Sequence, residues 1–198
     1  MTRDRRGYTL IEMVVVMVML AVVVAVAVPR GLKTSPQLQV DLGARGLTRD
    51  LEKVRMRAIA VKRRVRVSFV EGEGFYTAYV DMSPGRSGTI EGTADEVHES
   101  RLVTRGSSGG IPGVNLPKGV VFGFGDAAAG PLGASVSDPI TLEGDRVEFD
   151  SRGMIVPAGT GGVIFLTHED DPSAVAAVSI SGAGAFRAWR YRGGGWSE

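Results

Sequence analysis

The sequence predicts an α+β protein in which a long N-terminal helical region packs on an antiparallel β-sheet head. Helical spacing of apolar residues extends to about residue 64, and from residue 65 apolar and polar residues alternate as in a strand. A helical region followed by a series of strands favours the α+β class, in which the strands pair in an antiparallel sheet. The chain has 198 residues, which fits one domain behind an N-terminal segment.

Residues 1–28 join a basic leader to a long apolar run. Three arginines precede Gly7: Arg3, Arg5 and Arg6. No residue within 13–28 is polar, and the 21 residues of 8–28 match the roughly 20 that a helix needs to cross a bilayer. In lipid the backbone must satisfy its own hydrogen bonds, so a helix forms even in a valine-rich segment. We expect a membrane helix over 8–28, with the arginines on the cytoplasmic side.

Glu12 interrupts this apolar region with a carboxylate. Such a group in a membrane helix costs several kcal/mol, roughly 2.5 or more. An ionisable residue inside a membrane helix therefore suggests a functional role, and its charge requires a partner.

The junction Gly7-Tyr8-Thr9-Leu10-Ile11-Glu12 resembles the class III signal of type IV prepilins and of the pseudopilins of type II secretion systems. Glu12 is the fifth residue counted from Tyr8, and Pro29 is the twenty-second, where many pilins also have proline. The family usually has Phe where this chain has Tyr8. The resemblance implies cleavage after Gly7 by a prepilin peptidase and N-methylation of Tyr8.

Two other interpretations fit this segment less well. A secretory signal peptide has a shorter apolar run, about 7–15 residues, followed by small residues at the cleavage site. Here the run ends at Val28-Pro29, where proline disfavours cleavage. A plain membrane anchor fits the length but leaves Gly7 and Glu12 unexplained. The prepilin interpretation is therefore favoured.

The resemblance also supplies a partner for Glu12. Cleavage would free an amine on Tyr8, and Glu12 of a neighbouring subunit would neutralise it in an apolar filament core. Opposite charges at short distance favour both ionised forms. Glu12 is therefore predicted to be an assembly contact.

Composition excludes several kinds of chemistry. The chain has no cysteine, which excludes disulfides and thiol chemistry. The net charge of +1 hides an asymmetry, because residues 1–66 carry 14 Lys and Arg against 5 Asp and Glu, whereas residues 67–198 carry 9 against 17. The acidic part is typical of a solvated surface rather than of a general nucleic-acid binder.

Residues 29–64 are predicted to form an amphipathic helix that joins the head. Their apolar stripe has the spacing 4, 3, 4, 3: Leu47, Leu51, Val54, Ala58 and Val61. Pro29 is expected to kink or interrupt the chain before it. The other faces of this helix are basic. They are either exposed to solvent or form a binding surface for anionic lipid or for an acidic subunit.

Residues 65–198 are predicted to form a β-rich head. Strands at 65–70 and 75–80 flank a turn at 71–74, which is a hairpin pattern. Residues 81–113 are expected to be a long polar loop. Six further strands are predicted, at 120–124, 140–142, 146–149, 163–166, 176–180 and 185–191.

The C-terminal half resembles the H-type minor pseudopilin family, which includes the T-type minor pilins of DNA uptake. The resemblance lies in Phe149-Asp150-Ser151-Arg152-Gly153 and the Gly-led and Val-rich strands that follow. It implies a pilin-like fold. Independently of the family, Asp150 is expected to cap the turn and Gly153 to supply a positive φ.

No catalytic constellation is visible in the sequence. His98 and His168 each lie in a region expected to be a polar loop, and ligands for a zinc site are lacking. The acidic run Glu169-Asp170-Asp171 could hold calcium but is more typical of a solvated turn. We therefore expect no enzyme activity, no cofactor and no metal.

The C-terminal strand interleaves arginines with aromatic residues. Stacking combined with phosphate contact is how single-stranded nucleic acid is bound, which makes four residues candidates: Arg187, Trp189, Arg190 and Arg192. The DNA-uptake pilins have Gly-Arg-x-Arg near this position, and this chain has Gly184-Ala185-Phe186-Arg187. An ordinary terminal strand packed on the sheet is the favoured interpretation.

These features predict a minor pseudopilin, a structural subunit of a type II secretion pseudopilus. Its expected partners are other pseudopilins or pilins, prepilin peptidase, the inner-membrane assembly platform and the lipid bilayer. The head is expected in the periplasm of a bacterium. The alternative is a minor type IV pilin that binds DNA for natural transformation.

Overall fold

The computed structural model describes residues 9–31, 35–102, 104–134 and 136–198, without the side chains of 26–31. The chain forms two compact units, Met1–Ser35 and Pro36–Glu198.

The described part of the first unit, residues 9–31 and 35, forms the helix α1, Leu10–Gly31. Thr9 caps it, because the Glu12 N–H lies 3.1 Å from the Thr9 carbonyl oxygen and 3.3 Å from its Oγ1. The helix passes through Pro29 and ends three residues after the predicted boundary at 28. A proline removes one donor, which does not by itself end a helix.

Among the residues that the structure describes, no helix combines the length and the apolar character needed to cross a membrane. The predicted membrane segment, 8–28, begins at Tyr8, which lies outside the described residues, as do the side chains of 26–28. The leader, residues 1–7, also lies outside them.

The second unit is built from two antiparallel sheets. The six-stranded sheet has the order β3 (Gly106–Ser108), β4 (Ile111–Asn115), β2 (Phe75–Val80), β1 (Val65–Val70), β6 (Arg146–Phe149) and β7 (Ile155–Val156). The five-stranded sheet has the order β11 (Gly195–Ser197), β10 (Phe186–Arg192), β9 (Asp171–Ile180), β8 (Gly162–His168) and β5 (Val120–Phe122).

The helix α2, Pro36–Val61, packs against both sheets, contacting β8, β9 and β10 of one and β1 of the other. Its buried apolar positions repeat every three or four residues: Val40, Ala44, Leu47, Leu51, Val54 and Ala58. This confirms the predicted stripe, with Val61 half-buried at its end. The α+β class, with a helix on antiparallel strands, is likewise confirmed.

Aromatic contacts help to close the core beneath α2. Phe149 of β6 meets Phe186 of β10 with ring centroids 5.9 Å apart, and Phe69 of β1 meets Phe122 of β5 at the same separation. Each pair joins one sheet to the other. The head is therefore two sheets around a shared core rather than a single sheet.

The region 81–113 differs from the predicted loop. It contains α3, Ala94–Ser100, and the strands β3 and most of β4. Thr93 and Glu96 form a capping box, in which the Thr93 side chain accepts from the Glu96 N–H and the Glu96 carboxylate accepts from the Thr93 N–H. The Thr-x-x-Glu spacing was a readable signal for this helix.

Candidate assembly and interaction sites

Glu12 lies in the first turn of α1 and its side chain is exposed. The N-terminal end of a helix carries positive partial charge, so a carboxylate is favourable there. Thr9 fixes the start of the helix and hence the position of Glu12 on it. The predicted cleavage and methylation residues, Gly7 and Tyr8, lie outside the described residues.

The side chains of residues 10–25 are all exposed in this unit. Leu10 is 83% exposed and Met17 is 71% exposed. A contiguous apolar surface of this kind marks a site that lipid or another protein covers. Glu12 lies near the N-terminal end of this surface, so whatever covers that end also covers the carboxylate.

The predicted nucleic-acid residues of β10 have partners within the chain. Arg187 Nη1 lies 2.6 Å from Glu198 Oε1, and Trp189 Nε1 donates to Ser179 Oγ at 2.8 Å. Arg190 forms an ion pair with Asp41 of α2. The two ion pairs engage the guanidinium groups that would contact phosphates, and the hydrogen bond fixes the Trp189 indole on the neighbouring strand.

The remaining member of that set, Arg192, is exposed at the end of β10. Next to it, the rings of Tyr191 and Trp196 pack 5.0 Å apart, and Trp196 Nε1 donates to the Ala129 carbonyl oxygen at 2.7 Å. The aromatic residues of this strand therefore contribute to packing of the C-terminal hairpin.

The two histidines lie in regular elements rather than in loops. His98 is in α3, and His168 ends β8, where it is buried. The His168 ring accepts from the Asp170 N–H at 3.1 Å and contacts Gln39 Oε1 at 3.2 Å. The sequence did not indicate this because the β8 strand extends two residues beyond its predicted end.

Within the described ranges, no group of three or more His, Asp or Glu is placed to hold a metal ion. In the acidic turn, Asp171 Oδ1 accepts from the Ser173 N–H at 3.2 Å and from its hydroxyl at 2.6 Å. This carboxylate is thus used within the first three residues of β9.

Sequence patterns missed the buried carboxylate of Asp50. Tyr76 Oη donates to it at 2.9 Å, and Arg105 and Lys53 each approach it to 3.1 Å. Burial raises the pKa of the Tyr76 phenol, and the charge of Asp50 raises it further. The network ties α2 to β2 and to the segment before β3. Tyr76 and Arg105 lie 26 and 55 residues from Asp50, too far along the chain for a local motif to reveal them.

The turn after β6 has the predicted form. Asp150 Oδ1 accepts from the N–H groups of Arg152 and Met154 at 2.8 and 2.9 Å, and Gly153 has φ +75°. Burial acts to raise the pKa of Asp150, but these N–H donors outweigh burial and hold the pKa below its ordinary value.

A protein-family model, the prokaryotic N-terminal methylation motif, matches residues 2–28. The match confirms the type of signal inferred from Gly7 and Glu12, which is that of the type IV pilin and pseudopilin superfamily. The chain therefore combines an N-terminal methylation motif over residues 2–28 with a head in which a helix packs on antiparallel sheets.

Among solved structures, the chain is similar to the crystal structure of the type IV minor pilin FimU from Pseudomonas aeruginosa strain PAO1. The two share 12% identity with a TM-score of 0.43, over 80% of this chain and 92% of that chain. No curated protein matches the chain.

Proposed function

We propose that the chain is a minor pseudopilin of the H type, a non-catalytic structural subunit of a type II secretion pseudopilus. The observation that carries this proposal is the N-terminal methylation motif over residues 2–28, with Glu12 five residues after Gly7. The head, Pro36–Glu198, has its own core and would project from the filament.

Maturation would proceed at the junction between Gly7 and Tyr8. Prepilin peptidase would remove residues 1–7 and methylate the new amino group of Tyr8. The three leader arginines favour a cytoplasmic N-terminus, so segment 8–28 would cross the inner membrane once and the head would be periplasmic. The exposed apolar surface over residues 10–25 supports insertion among lipid and other subunits.

Glu12 would then act in assembly rather than in chemistry. A carboxylate surrounded by apolar side chains is unfavourable unless it is paired. The amine of Tyr8 on a neighbouring subunit would pair with Glu12. The two charges meet at only one axial offset between the helices, so the pair would fix the axial register of the filament.

Processing is tested by coexpressing the chain with a prepilin peptidase and measuring the mass of its N-terminal peptide. We expect loss of residues 1–7 and addition of one methyl group on Tyr8. The Gly7→Val variant and an inactive peptidase serve as controls that should leave the leader in place. Cleavage at the end of the apolar run would instead indicate a secretory signal peptide and would contradict the proposal.

Assembly is tested by the amount of Glu12→Ala chain recovered in sheared filaments. We expect a loss of at least about tenfold, since one buried charge is left unpaired in each subunit. Glu52→Ala on the exposed face of α2 is the matched control and should assemble normally. Equal recovery of the Glu12 variant would remove the assembly role.

The second candidate is a minor type IV pilin that takes up DNA. This candidate is favoured by Arg192, which is exposed at the end of the strand in which arginines alternate with aromatic residues. A gel shift with single-stranded DNA at several salt concentrations tests it, because phosphate-led binding weakens steeply with salt. Deleting the gene and comparing protein secretion with transformation in the host separates the two candidates.

A further inference from the structure

We propose that a groove beside β7 binds an acidic, extended segment of a neighbouring filament subunit. The groove has a volume of about 400 Å³ and lies at the end of the six-stranded sheet order. Its walls combine apolar and basic side chains: Leu142, Ile155, Pro157, Arg64, Arg66 and Arg146.

The three arginines surround one carboxylate, that of Glu148 on β6. Arg66 Nε donates to Glu148 Oε1 at 2.7 Å. Arg64 Nη1 lies 3.5 Å from Oε2, and Arg146 Nε lies 3.8 Å from Oε1. Each guanidinium carries five N–H donors, whereas a carboxylate offers about four acceptor sites, so most donors of the three arginines remain available beside Glu148.

The two more distant arginines are the more accessible ones. The side chains of Arg64 and Arg146 are 37% and 50% exposed, whereas that of Glu148 is 12% exposed. Glu143 also lines the groove and is exposed. Three arginines and two glutamates line the groove, so its net charge is positive. Its more accessible donors belong to Arg64 and Arg146.

Arg66 and Arg64 are held in place before any ligand arrives. Residue 66 lies opposite residue 148 in the β1–β6 register, which aligns the Arg66 side chain with Glu148. The Arg64 guanidinium lies against Gly88, where an added Cβ would come within 2.9 Å of Arg64 Cζ. A site arranged in advance loses less conformational entropy on binding.

The chemistry of the groove favours a carboxylate ligand on an extended chain. Planar guanidinium groups match the geometry of carboxylates. The apolar wall of the groove can bury the side chains that lie between the carboxylates of an extended ligand. β7 ends the sheet order, and an extended segment can lie along such an edge. The acidic excess of residues 67–198 disfavours a nucleic acid in the same position.

The identification of the occupant as a neighbouring subunit rests on the proposed function, whereas the carboxylate preference rests on the groove alone. The test therefore uses the full chain in neutral detergent micelles, without peptidase or filaments. The probe is a fluorescent peptide of alternating glutamate and valine, and its matched control replaces each glutamate with glutamine. Binding is followed by fluorescence anisotropy at low and high salt.

We expect the glutamate peptide to bind about tenfold more tightly than the glutamine peptide, and salt to weaken the binding. Arg146→Gln should lower its affinity about threefold to tenfold, and the double variant with Arg64→Gln should lower it further. Arg187→Gln, which also loses an arginine paired with a glutamate, should bind as the unaltered chain does. Thermal unfolding of each variant checks that the fold is retained.

Three results would overturn the proposal: equal binding of the two peptides, equal loss in the Arg187 and Arg146 variants, or tighter binding of a thymidine oligonucleotide through Arg146. The last result would assign the groove to nucleic acid. Processing at Gly7 is measured separately, so failure of peptide binding is distinguishable from failure of the proposed function.

Discussion

The guanidinium of Arg190 on β10 forms an ion pair with the carboxylate of Asp41 on α2. Asp41 is 6% exposed, and it also accepts from Gln37 Nε2 at 3.1 Å. An arginine that looked available for DNA in the sequence therefore connects the helix to the sheet. Binding of a phosphate by Arg190 would leave a buried carboxylate without its cation.

Replacing Arg190 with glutamine should destabilise the head by about 1–3 kcal/mol, because Asp41 then keeps a buried charge without a cation. Urea unfolding of the variant measures this loss. Arg192→Gln is the control, since Arg192 is exposed, and it should change the unfolding free energy by no more than about 0.5 kcal/mol. Equal stabilities of the two variants would show that the ion pair contributes little.

The buried stripe of α2 should dominate the stability of the head. Leu47→Ala removes a fully buried side chain beneath the sheets and should cost about 2–5 kcal/mol. Leu42→Ala, on the same helix, removes a side chain that is 52% exposed and should cost much less. Urea unfolding compares the two, and a similar loss from both would contradict the observed packing of α2.

Asp81 should make stability depend on acid pH. Burial acts to raise its pKa, but donors from Ser83 and Gly88 outweigh burial and hold the pKa below its ordinary value. The folded state thus favours the ionised form, which stabilises the protein above the unfolded pKa of about 3.9. This contribution is lost as the pH falls through the folded pKa.

We therefore expect the unfolding free energy of the Asp81→Asn variant to fall less steeply in acid than that of the unaltered chain. Urea unfolding between about pH 6 and pH 3 measures both slopes. Parallel slopes would mean that Asp81 does not carry the acid dependence. Asp150→Asn provides a second, independent comparison of the same kind, since the pKa of Asp150 is also lowered.

The capping box should determine whether α3 forms. Thr93→Ala removes the side-chain acceptor for the Glu96 N–H and should destabilise the helix by about 0.5–2 kcal/mol. Amide hydrogen exchange over Ala94–Ser100 measures this locally. Thr93→Ser keeps a hydroxyl acceptor and should retain slow exchange, whereas fast exchange in both variants would indicate that the cap hydroxyl is not responsible.

Local patterns account for what was predicted correctly in the head. The strands β1, β2 and β6 have the predicted bounds because alternation and turn residues lie within a few positions of each other. The short strands β7 and β11 were missed, since two or three residues cannot establish a period. The helix α3 was missed because its seven residues make only two turns, too few to show a helical period, and the capping-box spacing of Thr93 and Glu96 was its one local signal.

The sequence by itself determined the N-terminal signal around Glu12, the buried stripe of α2 and the longer strands. Each depends on neighbouring residues, whose spacing alone fixes which face is apolar. Only the tertiary structure decided that Arg190 pairs with Asp41 and that Arg66 meets Glu148, 82 residues further along the chain. Such contacts depend on strand register and on the packing of α2 across two sheets, which local spacing does not encode.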